Sequence, residues 1–254
     1  QSIVVSPDGK FFGYFTDDEF VIRETSTFKV VYHFLISGFS FGSNVKTIAL
    51  SDNLKLLVVD NSNNLVVFDM MRGKELYNHS YANEGVFIES VKINSTGTKI
   101  LIYKEQFNDF KLSITLNNFN DVELIEKGNV SFLPDNNVYH GIPLFDFSGD
   151  DIILIYNKEQ NSFYGEIRNS DDFSILKAQK FPSMFVPEEL DPVSRQVVLR
   201  YPDYNKYSYS YHVDLNTGLT QKISPFVGIN CLILTNEVFL SGCGRFMTLK
   251  ELKK

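Results

Sequence analysis

No tryptophan occurs in these 254 residues, and there are only two cysteines, Cys231 and Cys243, and eight prolines. Two thiols cannot frame a disulfide scaffold; they read as reduced, packed side chains in an intracellular, cytoplasmic protein. No apolar run approaches the ~20 residues that a membrane-spanning helix needs. No Lys/Arg run is longer than the terminal Lys253-Lys254, and the net charge is −7. That balance argues against non-specific nucleic-acid binding and against anionic membrane surfaces, which both require a positive field. Helical periodicity sustained over ten residues is missing as well. No signal-peptide pattern opens the chain, which starts at Gln1 rather than Met, so it reads as a segment of a longer protein.

What the chain does have is a short pattern that returns about every 44 residues. It stands as Val5-Ser6-Pro7-Asp8-Gly9-Lys10, Leu50-Ser51-Asp52-Asn53-Leu54-Lys55, Ile93-Asn94-Ser95-Thr96-Gly97-Thr98-Lys99, Phe147-Ser148-Gly149-Asp150-Asp151, Leu190-Asp191-Pro192-Val193-Ser194-Arg195 and, more faintly, Leu234-Thr235-Asn236-Glu237. Anchored on Ser6, Ser51, Asn94, Ser148, Asp191 and Thr235, the intervals are 45, 43, 54, 43 and 44 residues. Each copy is a tight turn between two apolar runs. Within a period there are up to four runs of 4–8 residues, such as Phe11–Thr16, Phe20–Glu24 and Phe28–Phe34, broken by Asn, Asp, Ser and Gly. The 23 Phe and 13 Tyr suit pleated, half-buried surfaces.

A fixed period of strand and turn predicts an all-β protein: a β-propeller of about six visible four-stranded blades, with a seven-bladed parent as the alternative, in a single domain over 1–254. The last period, with Gly228–Leu234, Val238–Ser241 and Phe246–Leu252, lacks a fourth run. The long interval holds extra residues around Asn129–Asn137, expected as an elaborated loop or an extra ribbon. Ile152-Ile153-Leu154-Ile155 and Leu56-Leu57-Val58-Val59 are apolar on both faces, as strands covered from both sides must be.

Leu65-Val66-Val67-Phe68-Asp69, followed by a turn through Gly73, resembles the end of a WD40 repeat, with Phe68 in the place of the Trp. Tyr211-His212-Val213-Asp214, followed by Gly218, resembles a weaker copy, and Ser6-Pro7-Asp8-Gly9-Lys10 resembles the turn between the first two strands of such a blade. The chain departs from that family in having no Gly-His dipeptide and no Trp, so the Asp-His-Ser-Trp network of regular WD40 blades cannot be assembled. The resemblance implies a divergent WD40-like propeller, a fold shared by scaffolds and by enzymes.

No Gly-X-Ser-X-Gly elbow, phosphate-cradling loop or metal-ligand spacing among His33, His79, His140 and His212 is present. The acidic pairs Asp17-Asp18, Asp150-Asp151, Asp171-Asp172 and Glu188-Glu189 sit in predicted turns or beside strand starts, where Asp bonds its own backbone. Tyr207, Tyr209 and Tyr211 alternate along one strand face and read mainly as packing between blades. Three Asn-X-Ser/Thr sequons, at Asn78, Asn94 and Asn129, match chance expectation.

The expectation is therefore a non-enzymatic scaffold or adaptor module without cofactors or bound metal, binding protein partners within a larger assembly. The alternatives are the propeller portion of a prolyl-oligopeptidase-like hydrolase, or a carboxylate- or metal-dependent propeller enzyme. Neither nucleic acid nor membrane insertion is expected. Loops joining blades, and those between second and third strands, share one end of a propeller. Their aromatics Phe39, Phe41, Tyr81, Phe107, Tyr139, Phe181 and Tyr204 are the candidate partner-binding residues.

Overall fold

The structure is a computed structural model that describes residues 3–16, 19–35, 45–106, 111–132, 143–159, 162–181, 186–201, 209–223, 232–235, 238–240 and 246–248. These form 23 strands and one turn of 3-10 helix, Ala82–Glu84. Among the described residues no helix is long and apolar enough to cross a membrane. The chain divides into two compact units, one comprising Gln1–Leu133 with Asp171–Phe173, the other Pro134–Ser170 with Ser174–Lys254.

The first unit carries three four-stranded antiparallel sheets, each a simple meander in chain order. The first sheet is β1 (Ile3–Val5), β2 (Phe11–Phe15), β3 (Glu19–Glu24) and β4 (Val30–Leu35). The second is β5 (Val45–Leu50), β6 (Lys55–Asp60), β7 (Asn64–Asp69) and β8 (Lys74–Ser80). The third is β9 (Val86–Ile93), β10 (Lys99–Gln106), β11 (Lys111–Phe119) and β12 (Leu124–Phe132). β6 is buried along its whole length, which is why it is apolar without alternation. Leu56 and Val58 face Phe15, Phe20 and Ile22 of the first sheet. Leu57 and Val59, one residue out of step, face Ile88, Ile100 and Ile102 of the third. Each sheet thus covers one face of the next, and two cores sit between three layers.

The second unit repeats the plan. β13 (Leu144–Ser148), β14 (Asp151–Glu159), β15 (Ser162–Asn169) and β16 (Ile175–Lys180) form one sheet. β17 (Val186–Asp191), β18 (Gln196–Tyr201), β19 (Tyr209–Asp214) and β20 (Thr220–Ile223) form the next. Ile153, Ile155 and Ile167 of the former pack on Val197, Leu199 and Val213 of the latter. A last sheet has three strands, β21 (Leu232–Thr235), β22 (Val238–Leu240) and β23 (Phe246–Thr248), matching the three runs read from the sequence.

The repeated turns are built from side chains bonding local backbone. Ser6 Oγ accepts from the Phe11 amide at 3.1 Å and donates to Asp8, and Ser51 Oγ accepts from the Lys55 amide at 2.9 Å. Asn94 Oδ1 accepts from the amides of Thr98 and Lys99, both at 2.9 Å. Ser and Asn recur at this site because either supplies the short acceptor that the turn requires. Turns also touch across sheets: Asn53 Nδ2 donates to Thr96 O at 2.7 Å, and Arg195 donates to Ser148 at 3.0 Å and pairs with Asp151 at 2.7 Å.

One boundary differs from the expectation. Asn129–Phe132, assigned to the insertion, continues β12, while Val122 lies in the preceding turn. Val130 and Phe132 are buried and alternate with exposed Asn129 and Ser131, so the start of the insertion is half-buried strand, and the rest lies outside the described residues.

Candidate partner-binding surface

Of the seven aromatic candidates, Tyr81 and Phe181 fall within the described residues; Phe39, Phe41, Phe107, Tyr139 and Tyr204 lie outside them. So do Cys231 and Cys243 and the pair Asp17-Asp18.

Phe181 is not a surface residue. It is 1 % exposed and belongs to the core between the two four-stranded sheets of the second unit. The cause is local. Gly165 on β15 leaves a gap that the Phe181 ring fills; a Cβ on Gly165 would stand 2.7 Å from that ring. The Phe181 amide donates to Phe163 O at 2.9 Å, so the pairing of β15 and β16 runs one residue past the strand and turns the ring inward. Phe181 is a packing residue, and the sequence could have suggested it only through the lone glycine in a strand.

Tyr81 sits where two loops of the second sheet meet. The β6–β7 turn is closed by Asp60, whose carboxylate accepts from the amides of Ser62 and Asn64 at 2.8 and 2.9 Å and from Asn64 Nδ2 at 2.7 Å. This lets Asn63 take a left-handed backbone, φ 61°, that Asn tolerates better than most residues. Asn63 O then accepts from the Tyr81 amide at 3.0 Å, joining the turn to the exit from β8. One turn of 3-10 helix follows and ends at Gly85, φ 67°. Asn63 Oδ1 is buried and has no hydrogen-bond partner among the described residues.

Tyr77, His79 and Tyr81 share one face because they are two residues apart. The His79 ring lies 4.5 Å from Tyr81 edge-on and 6.3 Å from Tyr77, and Tyr77 meets Phe119 at 6.1 Å. His79 Nε2 lies 2.6 Å from the Glu84 carboxylate. Tyr77 and Tyr81 share a hydrogen bond, and burial pushes both phenols above their ordinary value, Tyr81 strongly, with the Glu84 charge adding to the shift. The phenols therefore stay neutral and serve as donors and apolar faces, not as bases. Tyr77 and Tyr81 both pack on the core between the second and third sheets, and all three rings stay half-exposed. Such an arrangement can bind; it holds no nucleophile with an adjacent base.

A second polar group was invisible in the sequence. Glu166 on β15 is completely buried, and its carboxylate accepts from Arg168 at 2.6 and 2.8 Å and from the Tyr156 hydroxyl at 2.8 Å, with Lys158 at 3.4 Å. Burial, then the Glu166 hydrogen bond and charge, push the Tyr156 phenol far up. Every lone-pair direction of this carboxylate is occupied, which makes it a structural group. The three described acidic pairs are engaged as well: Asp151 by Arg195 at 2.7 Å, Asp171 by Lys99 at 2.6 Å and Glu188 by Arg200 at 2.7 Å. Tyr211 is half-buried against the core beside Val213, as packing between sheets requires.

No protein-family model matches this chain, and no curated protein resembles it in sequence. Solved structures do. The β-propeller domain of Cps50 (Swd1) from Myceliophteria thermophila matches over 97% of this chain and 85% of that one, with 13% identity and a TM-score of 0.52. Hsv2 from Kluyvelomyces marxianus matches over 90% of this chain with 10% identity and a TM-score of 0.61. The fold is a divergent WD40-like β-propeller. The WD40 domain of SCAP from fission yeast matches over 94% of the chain, with 11% identity and a TM-score of 0.61. The chain spans 62% of the Hsv2 chain and 57% of the SCAP chain. At these identities the likeness is one of architecture, and it matches the turn repeat and the Phe68-Asp69 strand end that pointed to it.

Proposed function

We propose that this chain is a protein-interaction scaffold, a non-catalytic module that holds partners within a larger assembly inside the cell. The observation that carries the reading is the Tyr77–His79–Tyr81 ladder, fixed at one end of the second sheet by the hydrogen bond from the Tyr81 amide to Asn63 O. Rings held this way lose little freedom on binding, so most of the contact free energy is retained. Tyrosine is enriched where interfaces concentrate their energy, because each ring offers area and a donor together. The WD40-like fold supports the reading at the level of kind: it presents many loops on sheets that need not move. The net charge of −7 favours partners with basic or mixed surfaces. Phe39, Phe41, Phe107, Tyr139 and Tyr204 extend the proposed surface beyond Tyr81.

The test is affinity purification of the full-length protein with identification of stoichiometric partners, followed by Tyr81→Ala. Loss of a partner at unchanged melting temperature supports the scaffold. Turnover of a small molecule by the isolated chain, with no stoichiometric partner recovered, overturns it.

A further inference from the structure

One row of rings runs along the interface between the second and third sheets. Tyr77 and His79 pair across the sheet with Val67 and Leu65, so they share the face that the second sheet turns to the third. Phe119 meets Tyr77, and His79 links Tyr77 to Tyr81. On the third sheet Glu126 pairs with Asn117, which pairs in turn with Ile100 of the shared core, so Glu126 stands on the wall turned to the rings. All these residues belong to the first compact unit.

The two ends of the row differ. At the Phe119 end the chain supplies a cation. Lys55 reaches from the second sheet, lies 5.3 Å from the centre of the Phe119 ring and pairs with Asp121 of the third. Ring, cation and carboxylate together join the two sheets there. The Tyr81 end has the ring and the carboxylates. Glu84 and Glu126 are exposed, and after burial and Tyr77 their charges add to what pushes the Tyr81 phenol up. Among the described residues no lysine or arginine lies over Tyr77 or Tyr81. His79 gives Glu84 a hydrogen bond, Asn129 gives Glu126 one, and Lys104 stands 3.7 Å from Glu126. Two carboxylates thus share one loosely placed cation.

From this we infer that the Tyr81 end of the row is the seat for an arginine side chain of a protein partner. Its guanidinium lies on the Tyr81 ring between Glu84 and Glu126, repeating what Lys55 does on Phe119. A guanidinium suits the place better than an ammonium. It is flat, stacks on a ring, and spreads its donors in one plane to reach carboxylates on two sides. This names the group that the Tyr81 surface proposed above binds, and it rests on that reading.

The experiment titrates the full chain, carrying isotope-labelled tyrosine, with a glycine-serine pentapeptide that has arginine at its centre. NMR reads the ring signals, which Tyr77→Phe and Tyr81→Phe assign. Two matched peptides carry citrulline, which keeps the shape without the charge, or lysine. A saturable shift of the Tyr81 ring signals, with affinity lower by roughly fivefold or more for both matched peptides, supports the inference. So does a loss of roughly fivefold or more in arginine-peptide affinity with Glu84→Gln plus Glu126→Gln at unchanged melting temperature. If the double variant melts lower, the citrulline comparison on the parent chain decides alone. No saturable shift up to about 10 mM arginine peptide overturns the inference, as does equal binding of the citrulline or lysine peptide. If the peptides fail while Tyr81→Ala still loses a stoichiometric partner of the full-length protein, the scaffold stands and its contact at Tyr81 is of another kind. If both fail, neither survives.

Discussion

The backbone amide of Asp8 donates to the Asp52 carboxylate at 2.8 Å, so two residues 44 apart in sequence meet at equivalent turns of adjacent sheets. The two carboxylates sit under opposite influences. Burial works against the charge of Asp8, but hydrogen bonds from Lys10 and Ser6 outweigh it and hold that carboxyl at about 2. Asp52 is pushed upward, by burial first and then by the Asp8 charge, against the hydrogen bond it accepts.

Asp52→Asn keeps an acceptor for the Asp8 amide and removes a charge that costs stability when ionised. A carboxyl whose folded pKa is raised penalises the native state above that pKa and ceases to do so below the unfolded value. Asp52→Asn should therefore be more stable than the parent near pH 7, by about 0.5 kcal/mol or less because the side chain is only half-buried and still screened by solvent. The gain should vanish as the pH falls through the ordinary carboxylate range. Urea titrations at pH 7 and pH 3 read both ends; a gain of equal size at both would show that the effect is not electrostatic.

Phe181→Ala should cost about 3 kcal/mol or more, the usual penalty for emptying a buried aromatic site. Gly165→Ala brings a Cβ to 2.7 Å from the same ring and to 3.0 Å from Leu215, so it should also destabilise. The double variant should be less destabilised than the sum, since removing the ring vacates the place that the new methyl needs. Strict additivity in denaturant melts would show that the ring and the glycine do not share one space.

Glu166→Ala should cost about 3 kcal/mol or more, because it strands the Arg168 guanidinium and the Tyr156 hydroxyl that now share a fully buried carboxylate. Tyr156→Phe removes one donor and leaves the ion pair, so about 1–2 kcal/mol is expected. Equal losses for the two would mean that the hydroxyl, not the charge, organises this group.

Turn chemistry made the architecture legible in the sequence. Ser6, Ser51 and Asn94 bond their own turns, and such bonds depend on residue type at fixed spacing, which a sequence displays directly. The strands followed from punctuation, apart from β12, where a short alternation of Val130 and Phe132 merged into a polar loop. The candidate surface was far less legible. Phe181 and Tyr81 look alike as aromatics just after outer strands, and what separates them is the residue across the sheet: Gly165 opens a hole for the Phe181 ring, whereas Leu65 holds the matching position in the second sheet. The buried state of Glu166 depends on what surrounds it, and strand periodicity does not report that.

The repeated turns contain a last comparison that separates backbone strain from crowding. Gly9 and Gly97 both adopt a left-handed backbone, with φ 71° and 67°. A Cβ added at Gly9 would meet nothing within 4 Å, whereas one at Gly97 would lie 2.8 Å from both Asn53 Oδ1 and Lys55 Cδ. Asn53 and Lys55 are not free to retreat. Asn53 Nδ2 holds Thr96 O, and the Lys55 ammonium bonds Gly97 O at 3.2 Å, pairs with Asp121 and lies 5.3 Å over the Phe119 ring. Gly9→Ala should thus cost only the left-handed penalty of about 1 kcal/mol. Gly97→Ala should cost that plus the displacement of the contacts joining the second and third sheets, for a total of about 2–3 kcal/mol. Paired urea melts decide it: a Gly97→Ala loss no greater than that of Gly9→Ala would mean that Asn53 and Lys55 yield freely and that the link between these turns contributes little.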